Sequence, residues 1–314
     1  MTNSSRAERA VRIATAAGRR LGLRADSPRV LHDVFNVLVH LAPDPVVVRV
    51  PSLTLVPAGE QATRQRRELA VTGWLADAGA PVVAPSPLVP REPVEAGGTS
   101  LTFWEYVHES APDRGSDGDS TDPRALEERF AEQTGQAAQL HRLLAGYPGE
   151  LPVLPSLVPA TGSSLDALRK QPQQFLSTAD LDRAEGEYAV LEALVGDIPA
   201  HFPDARLQAL HGDSPGYNVI RTATGPLFGD FEDVALGPVE WDLTLAGPRG
   251  IAAYEQAGGG PVDRQLLDVM EGARLLQVVG ALALVPSMPE LGPMLEPVVA
   301  QWRARAPLAL PGVG

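Results

Sequence analysis

The 314-residue sequence contains no cysteine, which excludes disulfides, thiolate catalysis and cysteine-ligated zinc. Lysine is almost absent as well. Lys170 is the only one, so Arg carries nearly all of the positive charge and is expected wherever a site calls for a fixed cation. Aromatic residues make up 5% of the chain, leaving the core mainly to aliphatic side chains. There is no long hydrophobic run. The most apolar stretch, near 275–286, is too short to span a bilayer, and residues 1–28 carry no continuous apolar core of the signal-peptide kind. The expectation is a cytoplasmic protein without a membrane partner. Net charge is −13, which argues against non-specific nucleic-acid binding.

What is present is a globular composition, 44% hydrophobic, with 30 Gly and 30 Pro as punctuation. Ala10, Ile13, Ala14, Ala17 and Leu21 recur at helical spacing and predict a first helix over 4–22. Residues 29–41 read as strand, turn and strand, with Val37, Val39 and Leu41 alternating against Leu38 and His40. After the turn at Pro43-Asp44-Pro45, Val46–Val50 is a short β-branched strand. Strands flanking His32–Asn36 suit the start of a nucleotide-binding sheet, and Asn36 is the candidate contact there, although the turn has no glycine-rich loop. A helix over 60–78 stops at Gly79, and short strands are expected across 82–104. Residues 109–122 are rich in Ser, Asp and Gly and read as a mobile solvated loop, with a lid as the alternative. Helical signals dominate from Pro123 onward: a buried stripe from Phe130 to Leu144, segments 163–171 and 179–199, an apolar core helix over 263–285, and a further helix over 288–305. The tail from Ala306 is expected to fray.

One stretch interrupts those helices. Residues 210–243 contain His211-Gly212-Asp213, Asn218, Asp230-Phe231-Glu232 and Asp242. Phosphoryl transfer needs a carboxylate at the acceptor hydroxyl, oxygen ligands for Mg²⁺ and a cation near the phosphates. Asp213, in a loop after the apolar Leu207–Leu210, suits the first task; Asn218 and Asp230 suit the second. The turn Ala223-Thr224-Gly225 folds a hairpin that returns Asp230 towards Asn218.

In order and spacing these elements resemble the aminoglycoside phosphotransferase and choline-kinase-like family, with its H-G-D-x-x-x-x-N, hairpin, D-F-E and G-x-x-x-x-D-L segments. The resemblance implies an α+β, two-lobed protein-kinase-like fold. A small N-terminal lobe (1–107) would hold an antiparallel sheet, one long helix and the hinge, and a larger, mostly helical C-terminal lobe (108–314) would bind the acceptor. It implies Asp213 as the catalytic base or hydroxyl-positioning residue, Asn218 and Asp230 as Mg²⁺ ligands, His211 packed under the loop, and Asp242 as a buried acceptor for the loop's backbone N–H groups. Arg49 would be the phosphate-pairing cation, where Lys is commoner, with Glu68 as its helix partner. The alternative for Glu68 is a solvated place in the charge run 64–68. The backbone of Glu105 and Val107 would meet the nucleobase. The function implied is transfer of the γ-phosphate of ATP or GTP to a small hydroxylated acceptor (antibiotic, amino alcohol or sugar) by a monomer or homodimer. Two other readings stay open: a kinase-fold nucleotide-binding protein with little or no catalysis, and a metal-dependent hydrolase using His211, Asp213, Asp230 and Asp233.

Overall fold

The computed structural model describes residues 3–52, 56–110, 122–172 and 174–310. Most of the 109–122 loop and the last residues of the tail lie outside them. By packing, the chain divides into two compact units, Met1–Gly118 with Asn218–Glu232, and Asp119–Tyr217 with Asp233–Gly314. The hairpin in the middle of the motif stretch is thus grouped with the N-terminal part of the chain, whereas the sequence reading drew one boundary after residue 107.

The first unit begins with helix α1 (Asn3–Arg20), followed by strands β1 (Ala25–Asp33), β2 (Asn36–Pro43) and β3 (Val46–Pro51). Helix α2 (Ala58–Asp77) precedes β4 (Val94–Ala96) and β5 (Thr99–Glu105). The sheet is antiparallel in the order β1-β2-β3-β5-β4. Pro28 is tolerated because β1 lies at its edge, where a missing N–H costs no ladder bond. Alternation in β2 buries Val37, Val39 and Leu41 fully. They join Val46, Val48, Val50, Leu101 and Phe103, with Ala10, Ala14 and Ala17 of α1, in one core. The small residues on α1 let the helix approach the sheet closely.

The strands expected across 82–93 do not form, and that segment contributes only isolated bridges at Val82 and Pro85. Five prolines between Pro81 and Pro93 remove the donors that a ladder needs.

The second unit opens with α3 (Pro123–Leu144), α4 (Ala160–Lys170), α5 (Thr178–Gly196), α6 (Ile198–His201) and strand β6 (Leu207–Leu210). Asp122 caps α3, and Ser177 with Asp180 forms a capping box on α5. The chain then supplies β7 (Val219–Thr222) and β8 (Gly225–Phe228) to the first unit. It continues here with β9 (Ala235–Pro238), α7 (Val239–Asp242), α8 (Gly247–Gln256), α9 (Arg264–Gly280) and α10 (Leu291–Ala304). The unit's main core gathers leucines from α4, α5 and α9 around Trp241 and Trp302. Phe130, expected in the buried stripe of α3, is only partly buried and packs on Tyr217 with ring centroids 4.5 Å apart. Among the described residues no helix is long and apolar enough to cross a membrane.

Candidate active site

In the first unit the candidate residues gather around one buried guanidinium. Arg49 on β3 is 4% exposed, and its Nη2 donates to Glu68 Oε2 on α2. Its Nη1 donates to Asp230 Oδ1 at 2.9 Å and lies 3.8 Å from Glu232 Oε2. One cation therefore faces three carboxylates. Burial works against the charge on Arg49, but Glu68, Glu232 and Asp230 outweigh it and hold the guanidinium above its ordinary pKa. Glu68, itself 1% exposed, goes the other way. Burial pushes its carboxyl up to about 8, with Arg49 opposing and Glu232 and Asp230 adding. A single guanidinium shared three ways does not compensate full burial of one of its partners.

Glu232 is held from two elements. Asn36 Nδ2, at the start of β2, donates to its Oε2 at 3.2 Å, and Gln61 Nε2 of α2 donates to its Oε1 at 2.7 Å. Asn36, expected at the nucleotide, thus has its amide on a protein carboxylate. The β7–β8 register pairs Val219 with Phe228, and Gly229 donates its N–H to the Asn218 carbonyl at 2.9 Å. This brings Asp230 beside Asn218, as the turn at 223–225 predicts. Asp230 has φ 59°, a left-handed backbone that Asp adopts more readily than most residues, and its side chain stays 51% exposed. Asn218 and Asp230 thus offer one amide and one carboxylate, both hard oxygen donors of the kind Mg²⁺ takes alongside phosphates and water. Among the described residues no three His, Asp or Glu side chains converge as a metal cage. At the end of β5, Glu105 donates its N–H to the Ala84 carbonyl at 2.9 Å, and Tyr106 donates to the Pro45 carbonyl. Tyr106 stacks on His40 with centroids 3.8 Å apart, and Val107 follows, half-buried.

In the second unit the His211–Asp213 loop leaves β6 and is pinned from below by Asp242. That carboxylate is 3% exposed and accepts the N–H of His211 on Oδ2 and the N–H of Gly212 on Oδ1, both at 2.8 Å. His141 Nε2 of α3 meets the same Oδ2 at 3.0 Å. Burial raises the Asp242 pKa, but the His141 contact, the nearby imidazoles and the Gly212 N–H prevail, and the group ends below the usual carboxylate range. Gly212 is required. Its φ is +92°, and a Cβ there would run into the Asp233 carbonyl. Trp241 Nε1 donates to the Gly212 carbonyl at 2.8 Å, and Asp213 N–H reaches His211 Nδ1 at 3.3 Å. His211 is fully buried beneath the loop, a poor placement for an exchangeable metal ligand. Asp213 stands 49% exposed, with Arg274 Nη1 of α9 donating to its Oδ1 at 3.1 Å. The sequence reading passed over Arg274, and the signal for it was an arginine next to Leu275 and Leu276 in a helix whose apolar residues predict a core position.

A family model described as the phosphotransferase enzyme family matches residues 35–276. The chain belongs to that family.

The phosphotransferase shares its fold with several solved structures. A choline kinase, LicA, from Streptococcus pneumoniae aligns with TM-score 0.60 at 12% identity, covering 93% of this chain and 99% of the other. The GDP and kanamycin complex of APH(2″)-IIIa aligns with TM-score 0.57 at 17% identity, covering 93% and 98%. A choline/ethanolamine kinase family protein from Mesorhizobium loti gives 0.57 at 16% identity, covering 95% and 93%. No curated protein matches the chain by sequence. At such identities the likeness is one of fold, and it is the α+β kinase-like fold that the motif stretch implied. The sheet and the long helix of this phosphotransferase belong to one unit and its helical bundle to the other.

Proposed function

We propose that this phosphotransferase moves the γ-phosphate of ATP or GTP to a hydroxyl of a small molecule, with Asp213 orienting or deprotonating that hydroxyl. The observation that carries the reading is the Asp213 loop itself. A buried carboxylate fixes its backbone through two N–H groups while the Asp213 side chain remains half exposed. Such a loop presents an acceptor oxygen in a set direction without enclosing it.

The first unit supports the nucleotide part of the reading. Arg49 offers a fixed positive charge for phosphate, held by Glu68. The carboxylates around it outnumber it, so the Asn218–Asp230 end of the hairpin is electrostatically suited to a divalent cation. Mg²⁺ bound there would neutralise charge on the phosphate oxygens during transfer. With its N–H on Ala84, Glu105 has its carbonyl to offer to a nucleobase, and Val107 stands two residues on. A fold neighbour solved with GDP favours a purine nucleotide as donor.

The acceptor is read from what the acids are doing. Acids on α5 could help to hold a polycation, but Asp180 pairs with Arg303, Asp182 and Glu185 with Arg169, and Glu187 with Arg183. Carboxylates compensated in this way attract a polycation weakly. We therefore favour acceptors with few or no ammonium groups: a weakly charged antibiotic, an amino alcohol or a sugar.

The test is a nucleotide-consumption screen over such compounds with Mg-ATP and Mg-GTP. Asp213→Ala should lower turnover by about 10²–10⁴-fold while the protein melts as before. Full activity in that variant removes Asp213 from the mechanism. The engagement of Asp230 with Arg49 favours a second reading, a nucleotide-binding protein with little catalysis. Tight binding of Mg-nucleotide without turnover across the panel is its signature.

A further inference from the structure

A buried arginine on the packed face of a helix needs an explanation that stability does not supply. α9 contributes Leu266, Met270, Ala273, Leu276 and Val279 to the core of the second unit, and Arg274 is 4% exposed among them. Burying a guanidinium carries a large desolvation cost, and replacing a buried ion pair by apolar side chains is often neutral or stabilising. Asp213 does not require the pair, because half of its side chain faces solvent. The geometry around Arg274 is nonetheless tightly specified. Nη1 donates to Asp213 Oδ1 at 3.1 Å and to Gln277 Oε1 at 2.8 Å, and Nε donates to Thr244 Oγ1 at 3.1 Å. The guanidinium lies 3.9 Å from the centre of the Trp241 ring. Each brace is itself anchored. Gln277 Nε2 donates to the Ser156 carbonyl, Thr244 Oγ1 donates to the Trp241 carbonyl, and Trp241 Nε1 holds the Gly212 carbonyl. The remaining nitrogen, Nη2, is buried without a hydrogen-bond partner, a cost that a purely structural contact would be expected to avoid.

We propose that Arg274 is a positioning residue for phosphoryl transfer. Held on three sides, it fixes Asp213 through Oδ1 and so sets the direction in which the other carboxylate oxygen meets the acceptor hydroxyl. This rests on Asp213 having the role given above. Lys would keep the charge but has no fork with which to reach Asp213, Gln277 and Thr244 together.

The test is a rate cycle on the full chain, using phosphate release from Mg-ATP and Mg-GTP with water as acceptor, and transfer to the best acceptor found in the screen. Arg274→Met should lower kcat by about 100-fold, with nucleotide KM changed less than about twofold, since misplacement of a reacting group by an ångström costs roughly that much. Arg274→Lys should recover about tenfold of the loss. In an Asp213→Asn background, Arg274→Met should cost less than about twofold, because residues acting as one unit are not additive. Unchanged kcat in a folded Arg274→Met protein overturns the proposal, and so does a loss that simply adds to that of Asp213→Asn. If Arg274→Met fails to fold, Arg274→Lys decides, and kcat equal to the parent's overturns the proposal. Asp213→Ala runs in parallel. If it keeps full turnover, or the parent turns over nothing, the reading of Asp213 fails and takes the proposal with it. If it is inactive while Arg274→Met is unimpaired, only the proposal fails.

Discussion

Asp242→Asn is the sharpest probe of how the Asp213 loop is held, since the exchange preserves size and removes one acceptor oxygen. In the parent protein, Oδ1 takes the N–H of Gly212 and Oδ2 takes the N–H of His211, with His141 on the same oxygen. The asparagine oxygen can keep one of the two N–H groups. Its NH₂ then faces the other, donor to donor, in a pocket where the residue is 3% exposed and water cannot substitute. A hydrogen bond to a buried charge contributes about 1.5–3 kcal/mol, and an orphaned buried donor costs about 1–3 kcal/mol. A loss of about 3 kcal/mol follows after partial relaxation. In a unit of this size about 1 kcal/mol moves Tm by roughly 2–4 °C, so the variant should melt about 6–12 °C lower at pH 7. The sign of the pH dependence is fixed by the depressed pKa of Asp242. Its contribution is present above the ordinary carboxylate pKa of about 4 and disappears as pH falls through the folded pKa. The gap in Tm should therefore be full at neutral pH and narrow in acid. Thermal melts by circular dichroism between pH 3 and 8, with turnover measured on the same samples, check both. A variant melting within about 2 °C of the parent at pH 7 with its turnover intact would refute the idea that Asp242 holds the loop.

Two further outcomes follow from buried carboxylates elsewhere. Burial pushes Glu68 up to about 8 against the pull of Arg49. The stability this group contributes is therefore full below its unfolded pKa of about 4.3 and lost as pH rises through the folded value. Glu68→Gln should accordingly lose less Tm between pH 5 and 8 than the parent, and parallel melting curves would contradict this. Glu187, 3% exposed on α5, accepts Trp302 Nε1 and Arg183 Nε, both at 2.7 Å. Glu187→Ala should destabilise the second unit by about 3–5 kcal/mol, seen as a lower urea midpoint and earlier proteolysis within α10.

Much of the fold was legible because its signals are local. Alternation along β2, the Gly79 stop after α2 and the start of α3 at Pro123 depend on residues close in sequence. The 82–93 segment was misread as short strands separated by prolines, when its four prolines take away donors that a ladder needs. The site was legible as a set of residue types at fixed spacing, His211 to Asp242. Its supports were not. Asn36 and Gln61 reach Glu232 across 196 and 171 residues, and Arg274 reaches Asp213 across 61. No periodicity records such pairings, because a long-range contact constrains only the two side chains that make it.

The sequence by itself therefore determined the family, the chemical inventory and the hairpin that returns Asp230 to Asn218, all of them short-range patterns of residue type and turn. Tertiary structure alone decided how those residues give their oxygens to one another. It placed Arg49 among three carboxylates, gave Asn36 to Glu232, and set a buried arginine behind Asp213. The physical reason is desolvation. Burial makes every unpaired charge expensive, so the folded chain pairs its charges across long distances in sequence.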